Sequence, residues 1–274
     1  MRHWRRFGFL LVAGVIVTSL FAQPVPPKKR KLLAIGMSAG WQHDSVSDAL
    51  ATLWKLGQET GLWDTYIRTD VQLITKQKLP ANAKNLDYFD ALFFMTTGEL
   101  PMDDQQKATL LSFIRDDGKG FLGAHNANDT FYKWPEYGEM IGGYFDGHPW
   151  NQFMAKIRVE DREFAATAHF PKQFEIMDEI YQVKDYSRDK VRVLMSLVPG
   201  TVDLKIKGVN RTDNDFAVTW VRQYGKGRVF YCGLGHRPEV WARPDIQKMW
   251  VEAVKWTMGM TRGGDTTPRP APTE

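Results

Sequence analysis

Leu32-Leu33-Ala34-Ile35-Gly36-Met37 is a nearly continuous apolar run of buried-strand length, and it breaks at Ser38-Ala39-Gly40. Val46, Ala49, Leu50, Leu53, Trp54 and Leu56 then recur on one broad helical face, with Ser45 or Ser47 as cap and Gly61 as stop. A short extended piece at Tyr66–Arg68 leads through a polar stretch to a second apolar run, Ala91–Met95, which ends in Thr96-Thr97-Gly98. Asp103 or Asp104 opens the next helix, Leu110, Leu111 and Ile114 give it an apolar face, and Gly118 closes it. Gly120–Ala124 is a third strand. Strands alternating with helices in this way predict an α/β fold: a mostly parallel central sheet with helices on both faces.

The second half is richer in strands. Phe153–Val159, Phe174–Tyr181, Val191–Leu197 and Ala217–Gln223 all have strand content, and Tyr224-Gly225-Lys226-Gly227 is a hairpin turn into Arg228–Cys232. A last helix spans about Pro244–Met258, with Ile246, Met249, Trp250, Ala253, Val254 and Trp256 mainly on its inward side. The predicted organisation is a leader at 1–22, a Pro-rich basic linker at 23–31, one domain at 32–260 and a disordered tail at 261–274.

Composition narrows the class. With 43% hydrophobic and 25% charged residues over 274 positions, the chain is an ordinary globular protein. The net charge of +4 comes from the ends: Arg2, Arg5 and Arg6 lie in the leader, and Lys28, Lys29, Arg30 and Lys31 lie in the linker. The body, 32–260, carries about −3, which leaves no basic footprint for nucleic acid. The arginine-rich start, the apolar stretch Phe7–Phe21 and Ala22-Gln23-Pro24 make a secretory signal pattern. That stretch is short of the roughly 20 residues of a membrane span, so the expectation is a periplasmic or secreted protein without a stable membrane anchor. Cys232 is the single cysteine, so no intrachain disulfide forms and stability comes from the core.

The candidate chemistry is histidine chemistry. In an open α/β sheet, the loops leaving the carboxyl ends of the strands form the binding crevice. His43 follows the first strand, His125 ends the third, His236 follows the last strand in Gly233-Leu234-Gly235-His236, and His148 closes the glycine-rich run Gly142–Gly147. Each of these, taken singly, has an ordinary explanation as a hydrogen-bonded loop residue. The set, sharing strand ends and glycine-rich surroundings, points to one crevice. At His125 the strand-to-loop turn resembles the elbow on which other α/β enzymes expose a nucleophile, and an imidazole there suits proton transfer. Asp178 and Glu179 are adjacent on a strand, so at most one faces the crevice, and Glu179 is the expected one. Trp41, Trp134, Trp150 and Trp241 lie near the histidines in sequence and have ring faces that stack on a sugar, although core packing is the default for tryptophan.

Together these residues resemble the trehalose-utilisation (ThuA-like) family, whose fold is flavodoxin-like and similar to that of class I glutamine amidotransferases. The matching features are His43-Asp44-Ser45, Gly120–His125, Gly142–Phe145 leading to His148-Pro149, Asp178–Tyr181, Gly225–Tyr231 and Gly233–His236. They cover about residues 31–258. His125 stands where the amidotransferase has its cysteine nucleophile, so ammonia transfer from glutamine does not carry over.

The resemblance implies sugar metabolism beside a nicotinamide-dependent oxidoreductase that makes 3-keto sugars. A C3 ketone acidifies the C2 hydrogen, and loss of that proton gives an enediolate that expels the C1 substituent or is reprotonated to an isomer. Such a reaction needs a base, an acid and an electrophile. The expected roles are acid/base work for His125 with Glu179 or Asp178, substrate contact for Trp41, Asp129 and Trp241, and a divalent metal such as zinc on His43, His148 and His236. No nicotinamide or flavin is expected on this chain. The second function class is a non-catalytic carbohydrate-binding or accessory protein. A hydrolase of unoxidised glycosides would want two carboxylates flanking the bond, and no convincing pair stands out.

Overall fold

The structure is a computed structural model that describes residues 28–261 and 263–272. The expected leader, 1–22, and most of the linker lie outside these residues. Arg30 and Lys31, assigned to the linker, already belong to the first strand.

The first half contains β1 (Arg30–Ser38), α1 (Val46–Thr60), β2 (Trp63–Arg68), β3 (Ala91–Thr97), α2 (Asp104–Arg115), β4 (Gly120–Ala124) and α3 (Pro135–Ile141). The second contains β5 (Tyr144–Phe145), β6 (Gln152–Val159), β7 (Gln173–Glu179), β8 (Val183–Lys184), β9 (Arg192–Leu197), β10 (Ala217–Tyr224) and β11 (Gly227–Cys232), followed by α4 (Pro238–Ala242) and α5 (Pro244–Thr257). Nine strands form one sheet in the order β2-β1-β3-β4-β11-β10-β9-β6-β7. The pairings from β2 to β11 are parallel, and those from β11 to β7 are antiparallel.

Period-2 alternation along the parallel strands divides the core. Leu32 and Ala34, Phe93 and Met95, Leu122, and Phe230 and Cys232 pack against α1 and α5. Leu33 and Ile35, Leu92 and Phe94, Phe121, and Val229 and Tyr231 pack against α2 and α3 on the other face. Asp103 opens α2 through a reciprocal cap, its carboxylate accepting from the Gln106 N–H at 2.7 Å. Ser45 does not cap α1 as expected; its hydroxyl donates to the Gly235 carbonyl at 2.7 Å and ties the loop after β1 to the loop after β11.

The strand directions place the site. Since β10, β9, β6 and β7 alternate, β7 again runs parallel to β4 and β11, and its carboxyl end lies at the same sheet edge as theirs. Ala155, Ile157 and Ile176 of β6 and β7 join the core that contains Leu50, Leu53 and Trp250, so the antiparallel half curls over the α1 and α5 side. That curl carries the last strand back toward the loops of the parallel half.

Residues 263–272, expected as a disordered tail, have no helix or strand, yet Asp265 bonds the buried Arg192 guanidinium at 2.6 Å. Among the described residues, no helix is long and apolar enough to cross a membrane.

Candidate active site

His125 sits at the end of β4 with φ of 39°, in the left-handed region that a β-carbon disfavours. The Tyr231 hydroxyl donates to its carbonyl at 2.7 Å and helps hold the turn. The ring is fully buried. Nδ1 lies 2.8 Å from the Gly233 carbonyl, an acceptor, so the proton is on Nδ1 and Nε2 presents its lone pair inward. The loop after β11 brings His236 to meet it. Gly235 is the hub of that loop: its N–H donates to Asp178 Oδ2 at 2.7 Å, and its carbonyl accepts from Ser45 and from Trp241 Nε1. Its φ of +121°, with the Trp241 ring 3.0 Å from where a β-carbon would stand, requires glycine.

Glu179 enters from the end of β7. His125 Nε2 is 3.2 Å from His236 Nδ1, His236 Nδ1 is 3.0 Å from Glu179 Oε2, and Glu179 Oε2 is 3.6 Å from His125 Nε2. Two ligands about 2.1 Å from one ion at a tetrahedral angle stand about 3.4 Å apart, so this triangle has the dimensions of three ligands of a divalent ion. His43 supplies a fourth donor, and one ligand atom from each of the four residues lies within 4.8 Å of the others. The backbone carbonyl on His125 Nδ1 is the outer partner usual for a ligating imidazole. This buried histidine and glutamate group can hold a metal.

The electrostatics agree with that set. Burial, reinforced by repulsion from His125 and His236, lowers the His43 imidazolium to about 3, so His43 is neutral near pH 7. Burial works against the charge on Glu179, but the His125 and His236 rings that face it outweigh burial and hold the carboxyl below its usual range. His236 is shifted upward because Glu179 overcomes its own desolvation. Behind His43, Asn126 Nδ2 lies 3.0 Å from Nδ1 and the Tyr181 hydroxyl 3.2 Å from Nε2. Burial keeps Tyr181 a neutral phenol.

Above the group lies a cavity of about 480 Å³, lined by Trp41, His43, Asp129, Phe145, His148, Glu179, Tyr181 and His236, with Asn151 and Gln152. The β5–β8 ribbon holds Phe145 there, its ring 4.4 Å from Tyr181 and stacked on His148. Asp129 accepts from the Tyr132 hydroxyl at 2.6 Å, and burial raises its carboxyl.

The expected residues therefore separate. His43, His236 and Glu179 meet at one point, and Trp41, 73% exposed, stands at the cavity mouth. Three positions need correction. His148, expected as a ligand, lies outside the four-residue group; its half-exposed ring lines the cavity with Nδ1 3.4 Å from Glu179 Oε1. His125, expected to meet substrate, does not line the cavity and is one of the four residues that could hold a metal. Trp241, expected to stack on sugar, is buried against Trp250 with centroids 5.4 Å apart, and its contribution is the bond to Gly235. Asp178 is the inward-facing acid of the pair: its oxygens accept from the Gly235 and Arg237 N–H groups, so it positions the His236 loop. Trp134 and Trp150 do not line the cavity. Tyr181 and Asn126 carried no role in the sequence reading, although Tyr181 stands two residues beyond Glu179 and Asn126 directly follows His125.

The chain matches the ThuA family, described as trehalose utilisation, over residues 31–257. It is similar in structure to a ThuA-like protein from Bacteroides uniformis, with a TM-score of 0.71 and 23% identity over 86% of this chain and 94% of that one. A ThuA-like protein from Parabacteroides merdae gives a TM-score of 0.65 and 15% identity over 88% and 98% of the two chains. A cytoplasmic protein from Salmonella typhimurium gives 0.52 and 11% over 83% and 98%. At these identities the likeness concerns the fold. No curated protein sequence matches the chain.

Proposed function

Since this chain belongs to the trehalose-utilisation (ThuA) family, with its glutamine amidotransferase-like fold and a context of sugar utilisation, we propose that it is an exported enzyme acting on a 3-keto glycoside. The observation that carries the reading is the convergence of three imidazoles and one carboxylate beside a cavity walled by aromatic ring faces.

His148 takes the C2 proton in this reading. Its ring lines the cavity and its Nδ1 lies 3.4 Å from Glu179 Oε1. The C–H electrons move into a C2=C3 bond and the ketone oxygen becomes the enediolate. The Tyr181 hydroxyl, a neutral phenol at the cavity wall, is the donor for that oxygen. The protonated His148 returns the proton: to the C1 oxygen as the C3=O and C1=C2 bonds form and the C1–O bond breaks, or to C3 as the 2-hydroxyl proton passes to the 3-oxyanion and C2 becomes the new ketone, with Asp129 lining the same cavity. A divalent ion such as zinc on His125, His236, Glu179 and His43 supplies a Lewis acid for the ketone when bound. The 3-keto substrate is supplied by a nicotinamide-dependent sugar oxidoreductase.

The purified protein is expected to exchange the C2 hydrogen of a 3-keto glycoside with solvent deuterium, followed by NMR. A chelator is expected to suppress exchange, and added divalent ion to restore it. Full activity in chelator removes the metal, and cleavage of an unoxidised glycoside without exchange replaces the chemistry by ordinary hydrolysis. The ring-lined cavity also suits an accessory sugar-binding protein, which binding without turnover of either sugar form would identify. Export predicts a mature N-terminus near Gln23 outside the cytoplasm, checked by mass spectrometry of protein from its own host; intact Met1–Ala22 on cytoplasmic protein rejects it.

A further inference from the structure

Gln182 directly follows Tyr181, is fully buried, and does not line the cavity. A buried amide costs free energy unless its donors and its acceptor are used. Here they are. Its backbone N–H donates to the Gly147 carbonyl and its backbone carbonyl accepts from the Asp146 N–H, each at 2.9 Å, which carries the β5–β8 ribbon one step further. In the side chain, Nε2 donates to the Asp146 carbonyl at 2.8 Å and to the Gly208 carbonyl at 2.6 Å, while Oε1 accepts from the Asn210 N–H at 2.8 Å. An amide can do both at once; a carboxylate or a thioether cannot. These bonds join the turn Asp146–Gly147, the chain that leaves the end of β7, and the connection from β9 to β10. Asn210 adds an exposed tie to the same turn, its Nδ2 donating to Asp146 Oδ2 at 3.0 Å.

His148 follows that turn directly. Gly147 has φ of +119°, and a β-carbon there would stand 3.2 Å from Gln182 Nε2, so turn and amide are fitted to each other. The His148 ring is 42% exposed and touches the Phe145 ring on one side, with Glu179 Oε1 at 3.4 Å. A ring so open to the cavity is placed chiefly by its backbone, and the backbone before it is what Gln182 holds.

We infer that Gln182 is a positioning residue: it fixes the Asp146–Gly147 turn so that the His148 imidazole meets the C2 hydrogen, and it acts on the reaction only through His148. This rests on the reading of His148 as the base, and the test separates the two. C2-exchange kinetics, metal analysis and NMR of histidine-labelled protein are run on the full chain. Gln182→Met, similar in size but without the amide, is expected to lower kcat by more than about tenfold, toward the roughly 100-fold that a misplacement of about 1 Å costs, with KM and bound ion within about twofold of the unaltered chain. On a His148→Asn background it is expected to cost nothing more, because residues acting as a unit are not additive. The nuclear Overhauser contact between the His148 and Phe145 rings should vanish while that between Phe145 and Tyr181 persists. If Gln182→Met does not fold, Asn210→Ala carries the same comparison: a smaller loss of kcat that disappears on the His148→Asn background. A loss that multiplies with that of His148→Asn, a raised KM at unchanged kcat, or an intact His148–Phe145 contact in folded Gln182→Met protein overturns the assignment. If the unaltered chain exchanges no C2 hydrogen, or His148→Asn exchanges it as fast, the base reading falls, and the ring contacts alone then decide whether Gln182 places His148.

Discussion

Replacing Glu179 by glutamine is expected to lower turnover by more than about 100-fold, since loss of an outer partner of a metal ligand alone costs about 10–100-fold. The change keeps shape but removes the negative charge that His236 faces at 3.0 Å and His125 at 3.6 Å. The ion in the proposed site would then be held by neutral imidazoles and an amide. Metal analysis alongside kinetics checks this: the variant should lose bound ion as well as rate. His148→Asn should lose rate and keep the ion, because His148 lies outside the ligand group. Asp178→Asn should differ from both. Its amide would point an N–H group at the Gly235 or Arg237 N–H now bonded to the carboxylate, and a buried unsatisfied group costs about 1–3 kcal/mol. The unfolding temperature should fall with Asp178→Asn and stay near that of the unaltered chain with His148→Asn. A Glu179→Gln protein with unchanged rate and metal content would dismiss the proposed centre.

Arg192→Met is expected to destabilise the fold by about 3–5 kcal/mol, the usual result of stranding one partner of a buried ion pair. Arg192 and Asp161 have side chains only 2% and 4% exposed, with Nη2 2.6 Å from Oδ2. Asp161 also accepts the Glu163 and Phe164 N–H groups, so its carboxylate cannot easily turn away. Methionine fills similar volume but leaves that charge buried and uncompensated. The thermal midpoint should drop on the order of 10 °C. Asp265→Ala, which removes only the half-exposed partner on the C-terminal segment, should move the midpoint little. A small effect of Arg192→Met would show that water reaches Asp161 in solution.

Much of this could be read locally. The runs at Leu32–Met37, Ala91–Met95 and Gly120–Ala124 became three adjacent parallel strands because a strand buried on both faces has no polar positions to spare. The rule that loops at carboxyl ends form the crevice placed His43, His125 and His236 together, and strand alternation separated Asp178 from Glu179. Small elements such as α3, α4, β5 and β8 escaped, because two to seven residues hold too little periodicity to announce themselves.

What sequence alone determined is thus the order of the main strands and helices and that Asp178 and Glu179, adjacent on β7, take different places, since backbone periodicity and chain order are local properties. Depth is not. Trp41 and Trp241 both lie within five residues of a site histidine, yet one is open to solvent and the other is stacked on Trp250. His125 and His148 likewise exchanged their expected places, because the β4 turn buries one against the Gly233 carbonyl and the β5–β8 ribbon leaves the other at the cavity wall. Glu179 reaches His236 only through the curl of the antiparallel half, which sums the twist of several strands and their packing on α1 and α5. Such long-range geometry is decided by the tertiary structure, where distant side chains compete for the same interior volume.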